Sequence, residues 1–153
     1  MKTIFPAIFL VAILSGHVMV TSATNWGRFA RCLKDGLGVR ALLDPEVICG
    51  ATRMAWSFAH MTYYSCLNCD KYFHCKGNYN AVIGCGGSPG ARMAAETISN
   101  CREFSQGGMD ADGMADDEAN RFGRGGGDCE SRYLCDVNCK FNPRGNTCLE
   151  TNC

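Results

Sequence analysis

Asp44-Pro45-Glu46-Val47-Ile48-Cys49-Gly50-Ala51-Thr52-Arg53-Met54-Ala55-Trp56-Ser57-Phe58-Ala59-His60-Met61 opens with a helix start and continues in a helical period. Asp44 supplies a capping carboxylate, Pro45 suits the first helical position, and Glu46 faces the positive end of the helix. Val47, Ile48, Ala51, Met54, Ala55, Phe58 and Met61 follow the 3.6-residue period, which predicts a helix to about Tyr64 with one strongly apolar face. That face must be covered, by the rest of a core or by lipid.

Working outward, Asp70 to about Ile83 reads as a second helix carrying Tyr72, Phe73, Tyr79 and Val82, ended by Gly84-Cys85-Gly86-Gly87-Ser88-Pro89-Gly90. A third runs from about Ala91 to Phe104, with Ala91, Ala94, Ala95, Ile98 and Cys101 on one side and Arg92, Glu96, Ser99, Asn100, Arg102 and Glu103 on the other. After Gly107-Gly108 a fourth begins near Asp110 or Asp112, where Asp116, Asp117 and Glu118 favour the positive helix end. Its inner face is Ala115, Ala119 and Phe122, and it stops at Gly123. Upstream, Trp26, Phe29, Leu33 and Leu37 alternate with Arg28, Arg31 and Lys34, a short basic amphipathic stretch interrupted by Gly36 and Gly38 that can pack on the domain or sit on a lipid surface.

The chain holds 12 cysteines in 153 residues: Cys32, Cys49, Cys66, Cys69, Cys75, Cys85, Cys101, Cys129, Cys135, Cys139, Cys148 and Cys153. An even, dense set of this kind points to oxidising export and to disulfides, six bridges being the simplest sum. Their connectivity is open. Met1-Lys2 followed by the apolar run Ile4 to Val20 and the small residues Thr21-Ser22-Ala23 reads as a signal peptide cleaved after Ala23. Residues 1–23 are therefore the leader, 24–49 a basic segment with the start of the first long helix, 50–127 a helical bundle and 128–153 a Cys-rich tail too polar to pack unaided. Losing Lys2 from 15 basic and 15 acidic side chains leaves a charge of about −1, which argues against a nucleic-acid partner. No Asn-x-Ser/Thr acceptor is present.

Three motifs suggest chemistry and fail on physical grounds. Gly86-Gly87-Ser88-Pro89-Gly90 has the spacing of a hydrolase nucleophile elbow, but Pro89 has no N–H for an oxyanion hole and no histidine follows the serine. Cys66-x-x-Cys69 with His74 and Cys75 offers zinc ligands, yet in an exported Cys-rich chain such cysteines are halves of bridges. Asp110 to Glu118 resembles a calcium loop, but Ala115 stands where glycine is required and Arg121 where a bidentate acid belongs. No active site, metal site or cofactor is expected.

Asp70-Lys71-Tyr72-Phe73-His74-Cys75-Lys76-Gly77-Asn78-Tyr79 resembles the Asp-Lys-Tyr-Phe-His-Ala-Arg-Gly-Asn-Tyr signature of the serum amyloid A family. Further blocks match in order: Ala94-Ala95-Glu96-Thr97-Ile98-Ser99-Asn100 with Arg102-Glu103, then Ala115-Asp116, Ala119-Asn120, Phe122-Gly123-Arg124 and Gly126. Gly50-Ala51 and Met54 through Met61 also align, so the resemblance spans residues 50–127.

The resemblance implies an all-α fold, a four-helix bundle with a C-terminal segment wrapped around it, here a disulfide-rich C-terminal tail. It implies a secreted acute-phase or innate-immune protein, not an enzyme, that binds lipid or lipoprotein particles, or bacterial lipopolysaccharide, through an apolar helix face. Carried over, that face is Val47, Ala51, Met54, Ala55, Phe58 and Met61, with Ala94 and Ile98. A homo-oligomer is compatible with the family. A soluble opsonin or cytokine-like ligand that meets a cell-surface receptor or microbial surface through Arg28, Arg31 and Lys34 is the alternative, and a Cys-rich structural protein a second. Vertebrate members of the family resemble each other in lacking cysteine, so a bridged version should be stiffer and should melt lower under reduction. Met93 replaces a family tryptophan and the loop after Ile83 is longer, so a retinol pocket is not carried over. Cys66-Leu67-Asn68-Cys69-Asp70 replaces a Tyr-Ile-Gly-Ser-Asp adhesion segment, and that activity is not carried over either.

Overall fold

The computed structural model describes residues 24–64, 69–107, 110–134, 140–142 and 147–149. The predicted leader and Cys66, Cys135, Cys139 and Cys153 lie outside the described residues. The chain is all-α apart from a small hairpin. Its elements are α1 (Trp26–Leu37), α2 (Arg40–Leu43), α3 (Pro45–Tyr64), α4 (Asp70–Val82), a 3-10 turn (Ile83–Cys85), α5 (Pro89–Gln106), α6 (Ala111–Arg124), α7 (Cys129–Tyr133) and strands β1 (Lys140–Asn142) and β2 (Thr147–Leu149). The strands pair antiparallel, Phe141 opposite Cys148.

Helix boundaries follow local chemistry. Asp44 Oδ1 accepts from the Glu46 amide at 3.0 Å, capping α3 as its sequence predicts. Ser88 caps α5 through the Ala91 amide, with Pro89 in the first turn, so the elbow-like serine is a helix start. Asp110 caps α6 in the same way, accepting from Gly113. At the other end of α5, Gly107 takes the positive φ of 126° that ends the helix.

The bundle is built from α3, α4, α5 and α6. α4 packs against α3, α5 and α6, and α3 against α5. Two crossings bring backbones together. A Cβ on Gly50 would stand 2.7 Å from the Ala91 carbonyl oxygen, and one on Gly123 would overlap the Cys75 carbonyl at 2.0 Å. Glycine at these positions is a condition of the α3–α5 and α4–α6 contacts.

α1 adds a fifth long helix, where a basic amphipathic segment was expected. Trp26 meets Phe29 and Phe58 edge-on at 5.7 and 6.2 Å. Leu37 packs with Val47 and Ala94, and the Asn25 amide donates to the Ser105 carbonyl at 3.0 Å. Of the two environments its amphipathic stripe allowed, packing on the domain is the one realised.

Three bridges staple these elements: Cys32–Cys101 joins α1 to α5, Cys49–Cys85 joins α3 to the 3-10 turn, and Cys75–Cys129 joins α4 to α7. Cys69 is also disulfide-bonded, and among the described residues no cysteine is free. Cys69 and Cys75 are thereby unavailable as zinc thiolates. Among the described residues, no helix is long and apolar enough to cross a membrane.

Candidate functional site

The residues that carry the family signature form a buried polar core between α4, α5 and α6. Asp70, His74 and Asn78 recur every fourth residue, which places them on one side of α4. Asn78 Nδ2 donates to Asn120 Oδ1 at 2.7 Å and to the His74 carbonyl at 2.9 Å. Its Oδ1 accepts from Arg124 at 2.8 Å and from the Ser99 hydroxyl at 3.2 Å. This makes Asn120 Oδ1 an acceptor, so His74 Nδ1, 3.0 Å away, carries the ring proton. Nε2 is left to accept from Arg102. Burial holds His74 near a pKa of about 3, with the Arg102 charge adding to the depression, so the ring is neutral at physiological pH.

The charges around it are paired across helices. The Lys71 ammonium reaches Asp112 at 2.7 Å and also contacts Asp116 and Asp70. Arg102 lies 3.7 Å from Asp70. Burial raises Asp116 to about 6, against the opposing hydrogen bond from Lys71. Burial likewise raises Glu103 to about 7, with Asp116 and Asp70 adding repulsion and Arg102 opposing. Glu103 Oε1 and Asn120 Nδ2 find no hydrogen-bond partner among the described residues.

Potential ligand atoms of Asp70, His74 and Asp116 lie within 4.8 Å of one another. Their lone pairs already face Lys71 and Arg102, so two protein cations fill the place a metal would take. The arrangement fastens three helices and offers no nucleophile with a base beside it.

The eight residues predicted to face lipid fall mainly inside the bundle. Val47 and Ala94 are fully buried, packed with Leu37, and Ala51 and Ile98 lie against them. Met54 packs on Ala81, Val82 and Ala95, and Met61 on the cluster of Tyr72 and Phe73. Ala55 and Phe58 are partly covered, Phe58 by Trp26. The structure therefore brings the α3 and α5 stripes together as core. Periodicity defined an apolar face correctly but could not choose between protein and lipid as its cover.

Apolar surface is exposed elsewhere. Val39, Leu42 and Leu43, on and beside α2, are 71, 64 and 77% exposed. Trp56 and Tyr63 on α3 and Phe104 on α5 are also exposed. The consecutive Leu42-Leu43 ahead of the Asp44 cap was the available signal for this corner, since neither belongs to the stripe that begins at Val47.

Fold and core together define a disulfide-stapled helical bundle whose helices cross on glycines and a shared polar network. Residues 43–146 match the family model described as "Serum amyloid A protein", and the chain belongs to the serum amyloid A family. The serum amyloid A protein of Notamacropus eugenii is 46% identical over 88 residues, covering 55% of this chain and 66% of that protein. That of Anas platyrhynchos is 42% identical over 100 residues, 63% of this chain and 74% of that protein. Serum amyloid A-5 of Mesocricetus auratus is 43% identical over 86 residues, 54% and 81% of the two chains. The match thus spans just under two thirds of the Notamacropus protein, and α1 stands outside the family-matched region.

Proposed function

We propose that this chain is an exported, non-enzymatic acute-phase or innate-immune protein that binds lipid, lipoprotein or lipopolysaccharide. The observation that supports the reading best is the corner formed by Val39, Leu42 and Leu43, three large apolar side chains open to solvent within five residues. Covering such side chains is favourable by about 25 cal/mol per Å² of apolar area, and an acyl surface offers that cover without a specific pocket. Val47, Ala51, Met54, Ala55, Phe58, Met61, Ala94 and Ile98 reach lipid fully only if α3 parts from α1, α4 and α5, which the Cys49–Cys85 bridge, holding α3 to the turn between α4 and α5, opposes. Export agrees with the density of cysteine and with the bridging of Cys32, Cys49, Cys69, Cys75, Cys85, Cys101 and Cys129.

The test is flotation of the oxidised protein with phosphatidylcholine vesicles, for the wild type and for Leu42→Ser/Leu43→Ser. The wild type should float at high salt, and the variant should bind at least about tenfold more weakly, from the loss of two side-chain burials. Equal flotation of the two would remove the corner from the mechanism, and no flotation of the wild type would remove binding to a neutral lipid surface through it.

A further inference from the structure

An open groove of about 690 Å³ runs between α1 and α5. Arg28, Arg31 and Asp35 line one wall, Thr97, Asn100 and Phe104 the other, and the Cys32–Cys101 bridge joins the two. Arg102, Arg121 and Arg132 are ion-paired, to Asp70, Asp117 and Glu118, and Arg124 donates to Asn78. Among the described residues, neither Arg28 nor Arg31 has such an ion pair. Arg28 is nevertheless held in place, its guanidinium 5.0 Å from the centre of the Phe104 ring.

We infer that this groove takes a phosphate-bearing headgroup, an inference that rests on the lipid-binding reading above. Two unpaired guanidiniums at i and i+3, against the single acid Asp35, leave the groove positive. The guanidinium fork matches phosphate oxygens two at a time. Asn100 is exposed on the facing wall and brings an amide donor. Phe104, 53% exposed, places an apolar surface directly beside the guanidinium of Arg28. Phosphate flanked by apolar mass is the chemistry of a phospholipid or phosphorylated glycolipid; a free phosphate ester shares only the phosphate. One wall of the groove belongs to α1, outside the region matched to the family, so this site would be particular to chains carrying that helix.

The experiment compares wild type and Arg28→Gln/Arg31→Gln on phosphatidylcholine vesicles with and without phosphatidic acid, after circular dichroism shows equal helicity and melting. The wild type should prefer phosphatidic acid, and the variant should lose about 30-fold of that affinity while keeping its binding to phosphatidylcholine. An undiminished preference in the variant would overturn the groove. Competition by glycerol phosphate would show that the phosphate alone suffices, and failure to compete that it is read on a lipid surface. Absence of phosphatidylcholine binding in the wild type would count against the apolar corner and leave the groove standing, so the two failures are separable.

Discussion

Glu103 shows what burial does to a single side chain here. It is 6% exposed, one of its oxygens lacks a hydrogen bond, and its carboxyl is raised to about 7. A carboxyl whose folded pKa exceeds its unfolded value stabilises below the unfolded pKa and loses that contribution as pH rises through the folded one. The window for Glu103 runs from 4.5 to about 7. Glu103→Gln should therefore raise stability at pH 8 by on the order of 1 kcal/mol, with the gain vanishing toward pH 5. Urea unfolding of both proteins at the two pH values checks this, and a pH-independent difference would contradict it. The same core explains what the residues concealed. Asp70, His74 and Asn78 form a polar stripe that by composition belongs to solvent, yet His74 and Asn78 are buried and Asp70 partly so, because Asn120, Arg102 and Arg124 on other helices satisfy them. Single-helix periodicity cannot show a partner that arrives from 20 or more residues away.

At the scale of elements, α3, α5 and α6 were legible because each carries its own start and stripe, whereas α4, buried on most sides, has no side-chain cap and no single apolar face. Asp44, Ser88 and Asp110 cap, and glycines end two of the runs. The α1 stripe was legible as well, but not its seat on α5, which depends on Gly36 meeting Thr97 and on Cys32 pairing with Cys101. Connectivity had to come from the fold, since sequence spacing favours no pairing. α2, α7 and the β1–β2 hairpin were not read at all; each is too short for a period to register. The α1 bridge closes 69 residues, for which chain entropy gives about 4 kcal/mol at 25 °C. Cys32→Ser/Cys101→Ser should lower the melting temperature by about 10 °C or more. An unchanged melt would mean that apolar packing alone holds α1.

For the whole molecule, the bridges and the polar core act on the same helices. Cys32–Cys101 ties α1 to α5 and Cys49–Cys85 ties α3 to the turn before α5, while Lys71, His74 and Asn78 fasten α4 to α5 and α6. Family resemblance implied lipid contact through the α3 and α5 stripes; in the stapled chain those stripes are core, and three exposed apolar residues, Val39, Leu42 and Leu43, stand together at α2. The corner and the buried stripes make opposite demands on the bundle, since one binds lipid without opening it and the other only by opening it. Hydrogen–deuterium exchange of the oxidised protein with and without phosphatidylcholine vesicles separates them most directly. Added lipid should slow exchange across residues 39–43 and leave residues 47–61 and 91–98 as protected as before. Faster exchange on α3 and α5 when lipid is added would contradict a bundle that stays closed.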